Sequence, residues 1–187
     1  MDLKEYNVET LTSHIAMPVP SPGGGSACAL TAALAASLTA MITGLGKAGQ
    51  SLDALARAQQ AQALRQALLD DMQRDSDSFA AFIEAKRLPG GEARDPVIEA
   101  SLRQAIEIPL EIATKALSLL PLLDAALPGC PPSALPDAKV ASLLARAAAQ
   151  GSLINAYANL SQVKTDTYKR EKLAYADTMA LEAQTGL

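Results

Sequence analysis

A chain of 187 residues with 49% hydrophobic content has enough apolar material for one sizeable core without a metal or disulfide staple, so a single domain over residues 1–187 is expected. A net charge of −4, with no local run of Lys and Arg, excludes the electrostatic footprint of a nucleic-acid binder. Aromatics make up only 3% of the chain and Trp is absent, and no stretch alternates apolar with polar as a half-buried strand would. The expected fold class is all-α: a single-domain multi-helical bundle of about six helices, with long central antiparallel helices.

In chain order, the first predicted element is an amphipathic helix over Asp2 to Ile15, with Leu3, Tyr6, Leu11 and Ile15 as its apolar contacts. Its start carries Asp2, Glu5 and Glu9 against Lys4, which is not the basic n-region of a signal peptide. Pro18, Pro20 and Pro22 then hold Met17 to Pro22 extended. A helix from Ser26 to Lys47 follows. In it Leu30, Leu34, Leu38, Met41 and Ile42 recur at helical spacing among Ala, Ser and Thr, so nearly every face is expected to touch protein.

No charge lies between His14 and Lys47, but the prolines, glycines and small side chains make this stretch too weakly apolar for a membrane span, and no membrane association is expected. Cys28 in this helix and Cys130 in a later proline-rich loop show neither disulfide nor zinc spacing, so a reducing cytoplasm is the expected location. With one His and no Cys/His/carboxylate cluster at ligand spacing, no metal cofactor is expected.

A long helix is predicted from Leu52 to Arg87, stopping before Pro89-Gly90-Gly91, and another from Pro96 to Leu120 with a kink at Pro109. The prolines between Pro121 and Pro136 make residues 119–137 a loop with at most one short helical piece. Helices over Asp137 to Val163 and Asp166 to Ala183 complete the chain.

Three places have the composition for chemistry. The turn Gly23-Gly24-Gly25-Ser26 exposes backbone N–H groups at a helix N-terminus, where a carboxylate or phosphate binds and Ser26 can cap or donate. Three glycines serve equally well for a tight entry and close helix packing. On the long helix, at roughly 100° per residue, Leu64, Leu68, Asp75, Phe79 and Phe82 share one stripe. A carboxylate at Asp75 is then either a core group satisfied by a partner or a general base whose pKa burial raises.

The penultimate helix groups Asp137, Leu144, Ala148, Gly151, Asn155, Asn159 and Gln162. Asn155 and Asn159 stack one turn apart, and buried amides need either a neighbouring helix or a polar heterocyclic ligand. Asp137 doubles as an N-cap candidate, and Lys47 as either a ligand-facing cation or a C-terminal dipole partner.

Pro20-Ser21-Pro22-Gly23-Gly24-Gly25-Ser26-Ala27 at the head of an Ala-rich helix resembles the cyclodeaminase/cyclohydrolase family of folate enzymes. So do Asp75-Ser76-Asp77-Ser78-Phe79 with Glu84 to Pro89, Ile108-Pro109-Leu110, and Asp137 through Asn155 to Asn159-Leu160. The resemblance covers nearly the whole chain. It implies a homodimer of helical bundles acting on a tetrahydrofolate derivative near the subunit interface, with Asp75 as catalytic proton acceptor. By the same resemblance Gly23, Gly24, Gly25, Ser26, Lys47, Asp137, Asn155 and Asn159 belong to the folate pocket, although Met41 to Lys47 is about two residues shorter than the family's spacing.

The implied activity is formiminotetrahydrofolate cyclodeaminase, with methenyltetrahydrofolate cyclohydrolase as the alternative. No cofactor beyond the substrate is implied. A helical dimer that binds such a ligand without turnover, or serves only as a scaffold, is the reading of another class.

Overall fold

The computed structural model describes residues 2–45, 51–90, 94–163 and 166–184. Its helices are α1 (Val8–Ile15), α2 (Gly24–Gly44), α3 (Leu52–Arg87), α4 (Arg94–Leu117), α5 (Leu119–Ala126), α6 (Leu135–Leu160) and α7 (Thr167–Gln184), joined by short 3-10 turns. No strand occurs among the described residues.

The element expected over Asp2 to Ile15 is divided. Asn7 accepts a hydrogen bond from the Thr10 N–H at 2.8 Å and restarts the helix as an N-cap, leaving Leu3–Glu5 as a separate 3-10 turn. α2 begins two residues earlier than expected, at Gly24, with Gly23 as its N-cap. Lys47 lies outside the described residues. The proline-rich stretch contains the eight-residue α5, whose Leu119, Leu120, Leu122 and Leu123 are buried.

Four long helices form the frame. α2 and α4 each pack against both α3 and α6, which places α3 and α6 on one diagonal and α2 and α4 on the other, with α7 laid on α6 and α4. Contacts running in opposite senses show that neighbours are antiparallel. Gly25 meets Asp75 while Ala40 clusters with Ala61, and Gly24 meets Asn155 while Cys28 meets Gly151.

Small residues set these distances. Ala29, Ala32, Ala33, Ala35 and Ala36 of α2 are fully buried, and a Cβ on Gly151 would come within 2.6 Å of the Cys28 sulfur, so α2 and α6 approach where no larger pair fits.

This packing reverses one expectation. The alanine face of α2 is the core, whereas its larger residues lie outward: Leu34 is 51% exposed, Met41 is exposed and Leu30 and Leu38 are half-buried, with Ile42 alone of the set fully buried. α2 is apolar and long enough to cross a bilayer, but half of it is packed inside the bundle. The outward half is equally uncharged, and Val140, Leu143 and Ile154 continue an exposed apolar face on α6.

Candidate active site

The N-terminus of α2, the middle of α3, the stretch of α4 around Pro109 and the C-terminal half of α6 enclose a cavity of about 320 Å³. Gly23, Gly24 and Gly25 line it together with Ser21, Asp75, Ser78, Phe79, Ala105, Pro109, Asn155, Ala158, Asn159 and Gln162. Three segments distant in sequence, the glycine turn, Asp75 and the two asparagines, therefore meet at one place. A second hollow of about 310 Å³ lies beside it, walled by Ile98, Leu102, Arg103 and Val163 among others, and Gln162 borders both.

Asp75 is held by the head of α2. A Cβ on Gly25 would collide with the Asp75 carboxyl group, so glycine is required for the carboxylate to lie against this turn. Ser26, fully buried, directs its backbone N–H at the same carboxyl group, and its Oγ lies 2.9 Å from the Met72 carbonyl and 3.2 Å from Asp75 Oδ2. Ser26 is thus not a wall of the cavity; it positions Asp75. This helix terminus, whose glycines suited either an anion site or close packing, holds a carboxyl group of the protein's own.

Burial pushes the Asp75 carboxyl up to about 6, the Ser26 hydrogen bonds pull it partly back, and the Asp71 charge one turn earlier adds to the rise. No described cation pairs with it. Asp71 is only 1% exposed, but Lys115 Nζ at 2.6 Å and Arg74 Nη1 at 2.5 Å neutralise it and tie α3 to α4. One carboxylate on this helix is a satisfied core group, and the other opens on the cavity as an uncompensated acid–base group.

On the α6 wall, the Asn159 side-chain NH₂ donates to the Ala105 carbonyl of α4 at 2.7 Å, and the Asn155 NH₂ donates to the Gly151 carbonyl at 3.2 Å. Asn155 also touches Gly24, its amide 3.6 Å from where a Cβ would stand. Asp137 does not join this group. It is exposed in the first turn of α6, about five turns and roughly 27 Å from Asn155 along the axis, and the N-cap position is occupied by Ala134 instead.

Sequence reasoning missed the role of Ser21. Its Oγ lies 2.6 Å from Ser76 Oγ and 3.1 Å from the Ser76 carbonyl, which fastens the proline-glycine turn onto α3. Two serines far apart in sequence carry no periodic signal that pairs them. The Ala105 carbonyl was findable, because it lies four residues before Pro109 and loses its helical donor there.

The frame and cavity define an all-α bundle with a half-buried, uncompensated carboxylate on a polar pocket, an arrangement suited to proton transfer on a ring-sized substrate. The sequence profile of the formiminotransferase-cyclodeaminase family matches residues 7–178, and the chain belongs to that family. It is 26% identical to a methenyltetrahydrofolate cyclohydrolase of Methylorubrum extorquens over 94% of this chain and 89% of that one. It is 30% identical to the formimidoyltransferase-cyclodeaminase of Mus musculus over 88% of this chain, yet spans only 32% of that longer protein. The fold matches the crystal structure of a formiminotetrahydrofolate cyclodeaminase from Thermotoga maritima with a TM-score of 0.87 at 17% identity, covering 97% of this chain and 92% of that one.

Proposed function

We propose that this chain is a folate one-carbon enzyme that converts 5-formiminotetrahydrofolate to 5,10-methenyltetrahydrofolate and ammonia, with Asp75 as its acid–base group. The observation that carries the reading is Asp75 itself, seated on the α2 terminus, facing the cavity and half-protonated near pH 6. Folate N10 attacks the carbon of the protonated formimino group on N5, whose C=N electrons move onto its nitrogen to leave an amino group, and the Asp75 carboxylate accepts the N10 proton as a tetrahedral carbon forms. Asp75 then returns that proton to the amino group, and ammonia departs as the C–N bond breaks. A group balanced between its two protonation states suits both halves of this exchange.

A second reading has its own support. The Methylorubrum relative, matched over 89% of its length, is named as a cyclohydrolase, and the same base activates water against the methenyl carbon. Both reactions pass through a tetrahedral carbon between N5 and N10. No metal is required in either, and a cytoplasmic location fits the two free cysteines.

We further propose a homodimer through the exposed apolar face of α2 and α6. Leu34 is the midpoint of α2, so an antiparallel pairing of two copies about it brings the far end of the partner's α2–α6 pair, where Asp137 lies, towards the glycine turn. That pairing is how Asp137 could serve the pocket while standing far from it within one chain.

Incubation of the purified chain with each folate, followed through the near-ultraviolet absorption of the methenyl group, separates the readings. Appearance of the chromophore from the formimino compound supports the cyclodeaminase, and its loss from the methenyl compound above the uncatalysed rate supports the cyclohydrolase. Binding of either compound without turnover leaves the non-catalytic ligand-binding reading in place of both.

A further inference from the structure

Pro109 lies inside α4 and has no N–H, so the Ala105 carbonyl four residues earlier has no helical donor. A buried carbonyl left without a partner is destabilising. Asn159 supplies the missing donor from α6, its Nδ2 lying 2.7 Å from the Ala105 oxygen. Because a carbonyl can only accept, the amide edge facing Ala105 must be the NH₂, and its orientation is fixed by chemistry rather than by choice of assignment. Asn155 is fixed by the same logic on the Gly151 carbonyl.

Both side chains line the cavity, and neither amide oxygen is used in these bonds. No described group donates to either oxygen. Asn159 is only 8% exposed, yet its oxygen is not sealed from solvent, so a donor that enters the cavity can reach it.

We propose that Asn155 and Asn159 are the specificity-determining residues of this site, an acceptor-only pair that reads the N–H edge of the substrate's bicyclic ring, its 2-amino group and flanking ring N–H. The inference rests on the folate reading above and adds to it which edge of the ring faces α6. Gly24 touches Asn155 and the adjacent Gly25 touches Asp75, so the acceptor pair and the base lie within the span of one ring system. A ligand presenting carbonyls or ring nitrogens to this wall meets like partners and is rejected, since a polar site discriminates most strongly against a ligand that leaves its groups unpaired.

The test compares the parent substrate with an analogue whose 2-amino group is replaced by methyl, which keeps the ring and its ring N–H and removes the amino donor. The wild type is expected to lose at least 30-fold in kcat/KM on the analogue, mostly through KM. In Asn155→Ala or Asn159→Ser that discrimination falls below 5-fold. Serine is one bond shorter than asparagine, so the second variant also gives up the donor to Ala105, and a melting curve confirms that each variant folds.

A purely structural role would weaken both ligands equally, and unchanged discrimination in both variants would overturn the proposal, as would a wild type that accepts the two compounds alike. Failure to convert the parent compound counts against the proposed reaction alone. Calorimetric binding of the same two heterocycles then reads the acceptor pair independently.

Discussion

At the residue scale the site depends on a contact between two backbone-close groups, Gly25 and the Asp75 carboxyl. Burial raises the carboxyl pKa and the Ser26 N–H and hydroxyl pull it partly back, which leaves it at about 6, near the midpoint needed for proton exchange. Replacing Gly25 by Ala inserts a methyl where the carboxyl group lies. The tip of Asp75 can rotate aside, so the fold survives, but the base is displaced by about an ångström, which is enough for roughly a 100-fold loss of kcat. Steady-state kinetics beside a melting curve checks this: kcat falls while the melting temperature moves little. Asp75 and Gly25 were each visible in the sequence, one through helical periodicity and one through its turn, but nothing in a linear pattern pairs positions fifty residues apart. That pairing makes Gly25 the seat of the base beside its place, with Gly23 and Gly24, in the cavity wall.

At the element scale, long periodic stretches were legible and their faces were not. α3 runs from Leu52 to Arg87 as its Ser51 cap and following Pro89 dictate, and the breaks at Asn7 and within the proline-rich stretch were finer than periodicity reveals. α2 misled because hydrophobicity ranks Leu above Ala, while helix packing at close range ranks Ala above Leu. The Gly151–Cys28 contact tests that account. Gly151→Ala overpacks the α2–α6 seam and is expected to destabilise the fold by about 1–3 kcal/mol, and adding Cys28→Ala should restore at least half of the loss. Chemical denaturation of both variants measures the two values. Equal stability of the single variant and the wild type would mean that the helices are not in contact at this point.

At the scale of the whole molecule, one bundle leaves an uncharged helix half outside, with Leu34 and Met41 on α2 and Val140, Leu143 and Ile154 on α6 facing outward. A patch of this kind needs a cover. If the cover is a second copy, Leu34→Glu places a charge at the centre of the interface and weakens the dimer by at least about 30-fold in Kd, seen in sedimentation as a shift to monomer. A monomeric wild type would contradict the proposed dimer, and vesicle binding abolished by the same variant would identify a bilayer as the cover. The family was legible across the whole chain because its motifs are local. The assembly was not, because the sequence shows that α2 is apolar on all sides but not which side is left uncovered.

Proton transfer by Asp75 ties the rate of folate conversion to the titration of one carboxyl group. Deprotonated Asp75 starts the reaction, so kcat/KM for folate conversion should rise with pH through about 6 and level off above it, with activity at pH 5 about tenfold below the plateau. In Asp75→Asn the rate should fall by at least about 100-fold and lose that acid limb. A wild-type profile flat from pH 5 to 8, or an Asn variant that keeps both rate and limb, would contradict the account.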